Sequence, residues 1–136
     1  MAALTLSAVG TIRSPILDLD AAPCQGDEGA PPVWIELEAG LAPAAEGLVT
    51  GDEIVVLTWL HLAARDVLHV HPRGDVSRPR AGVFATRSPD RPNPIGLHDA
   101  TVLEVDGARL RVAGVEAVDG TPVVDIKPRL GAIDTR

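Results

Sequence analysis

Apolar and polar positions alternate along most of this chain, in short runs separated by turn residues. Leu4 to Ile12 alternates well enough to predict a strand that stops before Ser14-Pro15. Val33 to Glu38 predicts a second strand, and Leu41 to Leu48 a short helical turn. Glu53 to Leu60 is the most continuous apolar run and is expected to be a central strand buried on both faces. Gly82 to Thr86 is strand-like, after which Pro89, Pro92 and Pro94 exclude regular structure. Leu97 to Val105 and Arg109 to Val115 predict a hairpin around Asp106-Gly107, and Asp119-Gly120 predicts a further turn into Val123 to Ile126. Residues 18–32 and 72–80 are rich in Pro, Gly and charge and predict long loops.

Six or seven short strands without a long amphipathic helix predict an all-β fold, a small β-barrel or sandwich with long loops. A Rossmann arrangement is not expected. It needs a Gly-rich turn between an early strand and a helix, whereas Gly10 is followed by Thr11, Ile12 and Arg13 and no Gly-x-Gly occurs. The 136 residues give room for one domain, taken as residues 1–136. One Phe, two Trp and no Tyr leave Val, Leu, Ala and Ile to build the core, and they weaken any model of base binding by rows of stacking rings. Cys24 is the single cysteine, so neither an intrachain disulfide nor a Cys-based zinc site is expected. The first apolar run lacks a basic flank and a cleavage-like continuation, and no stretch approaches the roughly 20 apolar residues of a membrane span. A cytoplasmic protein with no membrane partner is the expectation.

Charge changes this picture in one region. The formal net charge of −7 argues against nonspecific nucleic-acid binding. Residues 1–60 carry nine acids against one Arg, but residues 61–91 carry six Arg against three acids. An Arg-rich island almost without Lys suits fixed, bidentate contacts to carboxylate or phosphate, although a solvated face that balances nearby acids has the same composition. Within the island, residues 82–97 alternate Pro89, Pro92 and Pro94 with Asp90, Arg91 and Asn93. Proline fixes φ and restricts the residue before it, so the run is stiff before any ligand arrives. A stiff loop carrying polar side chains binds without a large ordering cost, and it also serves as a plain connector.

This run closely resembles the signature of the TrmO (TsaA-like) family. Val9-Gly10-Thr11-Ile12-Arg13-Ser14-Pro15 is similar to the family's opening strand. Glu46-Gly47-Leu48 and the strand ending Thr58-Trp59-Leu60-His61 are similar to its second block. The closing block is matched by Val118-Asp119-Gly120-Thr121-Pro122-Val123-Val124-Asp125-Ile126-Lys127-Pro128. The resemblance covers nearly the whole chain. It implies a β-barrel that binds S-adenosyl-L-methionine without a Rossmann domain, usually as a homodimer, and that methylates N6 of threonylcarbamoyladenosine beside the tRNA anticodon. Carried over by position, it implies cofactor contacts from Pro23, Cys24, Gln25, His61, Leu62, Arg87, Leu97, Asp119, Gly120 and Thr121. Acceptor contacts would come from Arg73, Arg91 and Asn93. The chain departs from the family's usual residues at Cys24, at Gly51-Asp52-Glu53 and at Arg129, and its end at Arg136 matches a short form without a second, C-terminal domain.

Methyl transfer from a sulfonium is an in-line displacement, so donor and acceptor must be aligned. The carbamoyl group acidifies the acceptor N–H, so a modest base suffices. Asp90, Asp119 and Asp125 are the carboxylates that stand near the signature blocks, with Asp90 and Asp125 as catalytic candidates. Turn or cap duty is the competing role for each, and catalysis by positioning alone stays open. Arg87 and Arg91 suit the carboxylate of the acceptor's threonyl group or of the cofactor. His69 and His71 share a face of an expected strand, but acids to support a metal site with His61 are not evident, so no metal is expected. Three functions follow: a tRNA methyltransferase, a methyltransferase of the same fold acting on a small metabolite, and a non-catalytic module that senses the cofactor.

Overall fold

The computed structural model describes residues 2–17 and 30–130, except the side chain of Arg73; Pro23, Cys24 and Gln25 lie outside the described residues. Among the described residues eight strands occur in chain order: β1 (Gly10–Arg13), β2 (Val33–Leu37), β3 (Glu53–Trp59), β4 (His69–Val70), β5 (Ala81–Gly82), β6 (Ile95–Asp106), β7 (Arg109–Ala113) and β8 (Pro122–Pro128). Six of them close into an antiparallel barrel in the order β1-β2-β7-β6-β3-β8, and β4 and β5 form a separate two-stranded ribbon. Closure leaves the barrel strands without an open edge, and it fixes which phase of each alternation points inward.

The inward phase is made of β-branched and small residues, as a chain with so few rings requires. Ile12, Val33, Ile35, Ile54, Val56, Ala100, Val102, Leu110, Val112 and Val123 are all buried in one core cluster. β-Branched side chains suit this pleated interior because their χ1 freedom is already small. Among the described residues, three short 3-10 turns, at Ala42–Ala45, Pro72–Gly74 and Val83–Ala85, interrupt the loops.

Four expectations are corrected in detail. The opening strand starts at Gly10, not Leu4, because its partners Leu37 and Val123 begin there; Leu4 is 87% exposed and has no strand to pack on. β3 is fully buried on one face only, since Val55, Leu57 and Trp59 on the other are half-buried. Of Gly82 to Thr86 only Gly82 is strand, as the end of β5, and a turn follows. There, both the Thr86 backbone N–H and its hydroxyl donate to the Val83 carbonyl at 3.0 Å. The β6–β7 hairpin turns through Gly107-Ala108, one residue later than read, and closes on the Asp106–Arg109 pair.

Candidate functional site

The proline run after Val83 is held from inside by its own arginine. The Arg91 guanidinium donates to the carbonyls of Val83 at 2.9 Å, Thr86 at 3.0 Å and Ser88 at 3.1 Å. Its backbone N–H reaches Ala64 O at 3.1 Å, and the Asp90 carboxylate accepts from the Ala64 N–H at 2.8 Å. Arg65 donates to Pro92 O at 2.8 Å and to Asn93 Oδ1 at 3.1 Å while lying over the Trp59 ring, 5.1 Å from its centroid. The run is thus stitched to residues 59–65, so its stiffness comes from proline and from these bonds together.

This braced loop forms one wall of a cavity of about 1800 Å³. Residues 60–63 and 70–76 form another wall, and residues 114–121 a third. β6 lends both of its faces, outward through Ile95 and Leu97 and inward through Gly96 and His98. The cavity brings together His61, Leu62, Arg87, Asp90, Arg91, Asn93, Leu97 and Thr121. Arg87 is exposed and makes no hydrogen bond or ion pair to any described residue, so its charge is available to an anion. Arg91 and Asp90 are spent on the loop as described.

Asp119 and Gly120 adjoin the cavity without lining it. Asp119 accepts from the Ser14 N–H at 3.0 Å and lies 3.8 Å from Arg13 Nη1. Gly120 has φ +87, the left-handed region that favours glycine, and its N–H donates to Ile12 O at 2.8 Å. Thr121 is buried, with its hydroxyl on Val118 O at 2.7 Å. The turn is therefore pinned to the segment after β1, which sets where Val118 and Thr121 meet the cavity. Asp125 is not brought to this place. It pairs with Lys127 at 3.1 Å and lines a smaller cavity of about 530 Å³ beside Leu37, Leu48 and Ile126.

The three histidines considered from the sequence do not gather. His71 Nδ1 contacts Arg78 O at 2.8 Å, and His61 and His69 are exposed. No group of three His, Cys, Asp or Glu suited to a metal occurs among the described residues.

One histidine escaped the sequence reading. His98 is 6% exposed, on the inward phase of β6, and lines the large cavity. Its Nε2 meets the buried Thr58 hydroxyl at 2.8 Å across the β3–β6 ladder. Its Nδ1 is buried without a hydrogen-bond partner, 3.8 Å from Glu116 Oε1. Burial lowers its pKa to about 4, so the ring is neutral near pH 7. Gly96 makes the arrangement possible: a Cβ there would stand 2.5 Å from Thr58 Oγ1 and 2.9 Å from His98 Nε2. Gly96, His98, Ala100 and Val102 share one parity, but Leu97, Leu103 and Val105 share the other, so alternation alone does not say which of the two faces inward.

Residues 11–135 match the model of the tRNA-methyltransferase O N-terminal domain. A Methanothermobacter thermautotrophicus protein named "Probable S-adenosyl-L-methionine-binding protein" is 46% identical over 127 residues, covering 93% of this chain and 90% of its own. The "S-adenosyl-L-methionine-binding protein" of Archaeoglobus fulgidus is 39% identical over 131 residues, 96% of this chain and 93% of its own. The crystal structure of TrmO from Pseudomonas aeruginosa superposes with a TM-score of 0.75 at 31% identity; 99% of this chain is covered, which spans 62% of the TrmO chain.

Proposed function

Because the chain belongs to the tRNA-methyltransferase O N-terminal domain family, we propose that it is an S-adenosyl-L-methionine-dependent methyltransferase whose acceptor is N6 of threonylcarbamoyladenosine in tRNA. The observation that carries the cofactor reading is Arg87, a guanidinium without a partner among the described residues, on the wall of a cavity otherwise rich in apolar groups such as Leu62, Phe84, Ile95 and Leu97. A methionine-derived cofactor offers a carboxylate to the first and an adenosyl group to the second. The two relatives named for binding it support the same assignment. A cavity of about 1800 Å³ also exceeds the roughly 300–1,000 Å³ of a pocket for one small molecule, so cofactor and acceptor fit side by side.

When bound, the cofactor supplies an electrophilic methyl group. The chain's part is to orient and to exclude water. Arg87 fixes the carboxylate end, the braced run 86–94 keeps that guanidinium in place, and the apolar wall takes the rest. His61 and Thr121 stand on the same cavity and are assigned to the cofactor with Leu62 and Leu97; Asn93 is assigned to the acceptor. Leu62, Val76 and Phe84, the last 85% exposed, leave an apolar rim around the mouth that suits a second copy of the chain. A homodimer is therefore part of the proposal, and a monomer in sedimentation at micromolar concentration contradicts it.

Transfer of label from S-adenosyl-L-methionine to tRNA tests the acceptor. Label on tRNA that carries threonylcarbamoyladenosine, and none on tRNA that lacks it, is expected. Label that follows small metabolites instead, with no effect of salt on turnover, overturns the tRNA assignment, because binding of a polyanion weakens steeply with salt.

A further inference from the structure

The buried pair at the floor of the large cavity has no assigned role. His98 is more than nine-tenths buried, yet its Nδ1 has no hydrogen-bond partner among the described residues. A polar atom left so costs about 1–3 kcal/mol, and native structures keep such a group where something else satisfies it. Glu116 Oε1 stands 3.8 Å away, too far for a direct bond, and both residues line the cavity. A carboxylate at that distance favours the tautomer with the proton on Nδ1, so the Thr58 hydroxyl donates to Nε2. The cavity floor therefore offers one N–H donor next to one carboxylate acceptor, at a fixed spacing.

We propose that His98 and Glu116 form a two-point subsite for an acylated nitrogen, an N–H with a carbonyl oxygen on the same edge, with Glu116 accepting from the N–H and His98 Nδ1–H donating to the carbonyl. This deepens the methyltransferase reading and rests on it. As the nitrogen lone pair forms the new bond to carbon, the carbon–sulfur bond breaks with its electrons staying on sulfur, and the N–H proton passes to the Glu116 carboxylate and on to solvent. Negative charge that builds on the carbonyl oxygen as the N–H loosens is met by the preset His98 donor. A neutral imidazole suits this task, and burial, which lowers its pKa to about 4, keeps it neutral. The subsite also selects. A simple amine, protonated at neutral pH, can donate to Glu116 but has no lone pair with which to attack and no carbonyl for His98 to meet.

Two substitutions separate this role from packing. In His98→Asn the amide N–H sits near the place of Nδ1–H, whereas His98→Ala supplies no donor. Methyl transfer to threonylcarbamoyl-modified tRNA is expected to fall at least 100-fold in His98→Ala, with S-adenosyl-L-methionine affinity within threefold of the parent and at least tenfold recovery in His98→Asn. Turnover in a folded His98→Ala within twofold of the parent overturns the subsite. Should that variant not fold, Glu116→Gln leaves the Thr58–His98 contact in place; a 100-fold fall supports the subsite and near-parental turnover overturns it. The ring ¹⁵N resonances of His98 are read in the parent protein with S-adenosylhomocysteine present. The Nδ1 signal is expected to move on adding free N6-threonylcarbamoyladenosine and to stay in place with adenosine. If the parent labels no tRNA, the tRNA reading has failed on its own, and this shift alone decides the subsite: movement supports it, no movement overturns it.

Discussion

Two cavities of this barrel differ in character. The large one is walled by three loop segments and offers a guanidinium at Arg87, without a partner among the described residues, and a buried imidazole at His98. The small one, beside Leu37 and Leu48, carries the acids Glu46, Asp52 and Asp125, with Lys127 already held by Asp125 at 3.1 Å. A similar contrast runs through the arginines of the large cavity. Arg91 has turned inward to three carbonyls of its own loop, while Arg87, four residues earlier, has no partner among the described residues. Charge that a fold uses to hold itself together is not available to a ligand, so the useful question for each ionic side chain is what already touches it.

Acid sharpens the contrast most. Burial depresses His98 to about 4, below the ordinary histidine value of about 6.5, so the unfolded chain binds a proton that the folded one refuses. His98 thus contributes stability that is present above pH 6.5 and is lost as pH falls to 4, in total about 3 kcal/mol. Denaturant melts from pH 7 to pH 4 check this: His98→Asn is expected to flatten the profile. An unchanged slope contradicts the assignment to His98.

Next in size is the pair of arginines. Arg91→Ala removes three charge-assisted bonds from the stiff loop and is expected to cost about 2 kcal/mol of stability. Arg87→Ala, which removes no hydrogen bond or ion pair among the described residues, is expected to leave the melting curve within about 0.5 kcal/mol of the parent. Equal destabilisation by the two would erase the distinction drawn between them. The smallest effect is expected at Asp125→Asn, which alters only an exposed pair with Lys127, the kind worth about 0–1 kcal/mol. A large loss of methyl transfer there would move the chemistry to the small cavity.

The barrel was legible in the sequence because alternation and turn chemistry are local. Asp106-Gly107 announced its hairpin, and the apolar run Glu53 to Leu60 announced β3, although not that only Ile54, Val56 and Thr58 are fully buried. Alternation does not say where a partner strand begins, so the reading ran β1 back to Leu4 where nothing pairs with it. The proline run showed its stiffness but not the direction in which Arg91 turns. That depends on the carbonyls a 3-10 turn leaves free at Val83. His98 was hidden for the same reason. A histidine between Leu97 and Asp99 looks like a surface residue until closure of the barrel assigns its parity to the interior.

Calorimetric titration with S-adenosyl-L-methionine, run on the parent, Arg87→Ala and Asp125→Asn, tests the central assignment of the large cavity. Binding by the parent, loss of at least tenfold in affinity in Arg87→Ala (about 1.4 kcal/mol) and no change in Asp125→Asn is the predicted result. Unchanged affinity in a folded Arg87→Ala protein, or a loss confined to Asp125→Asn, would contradict it.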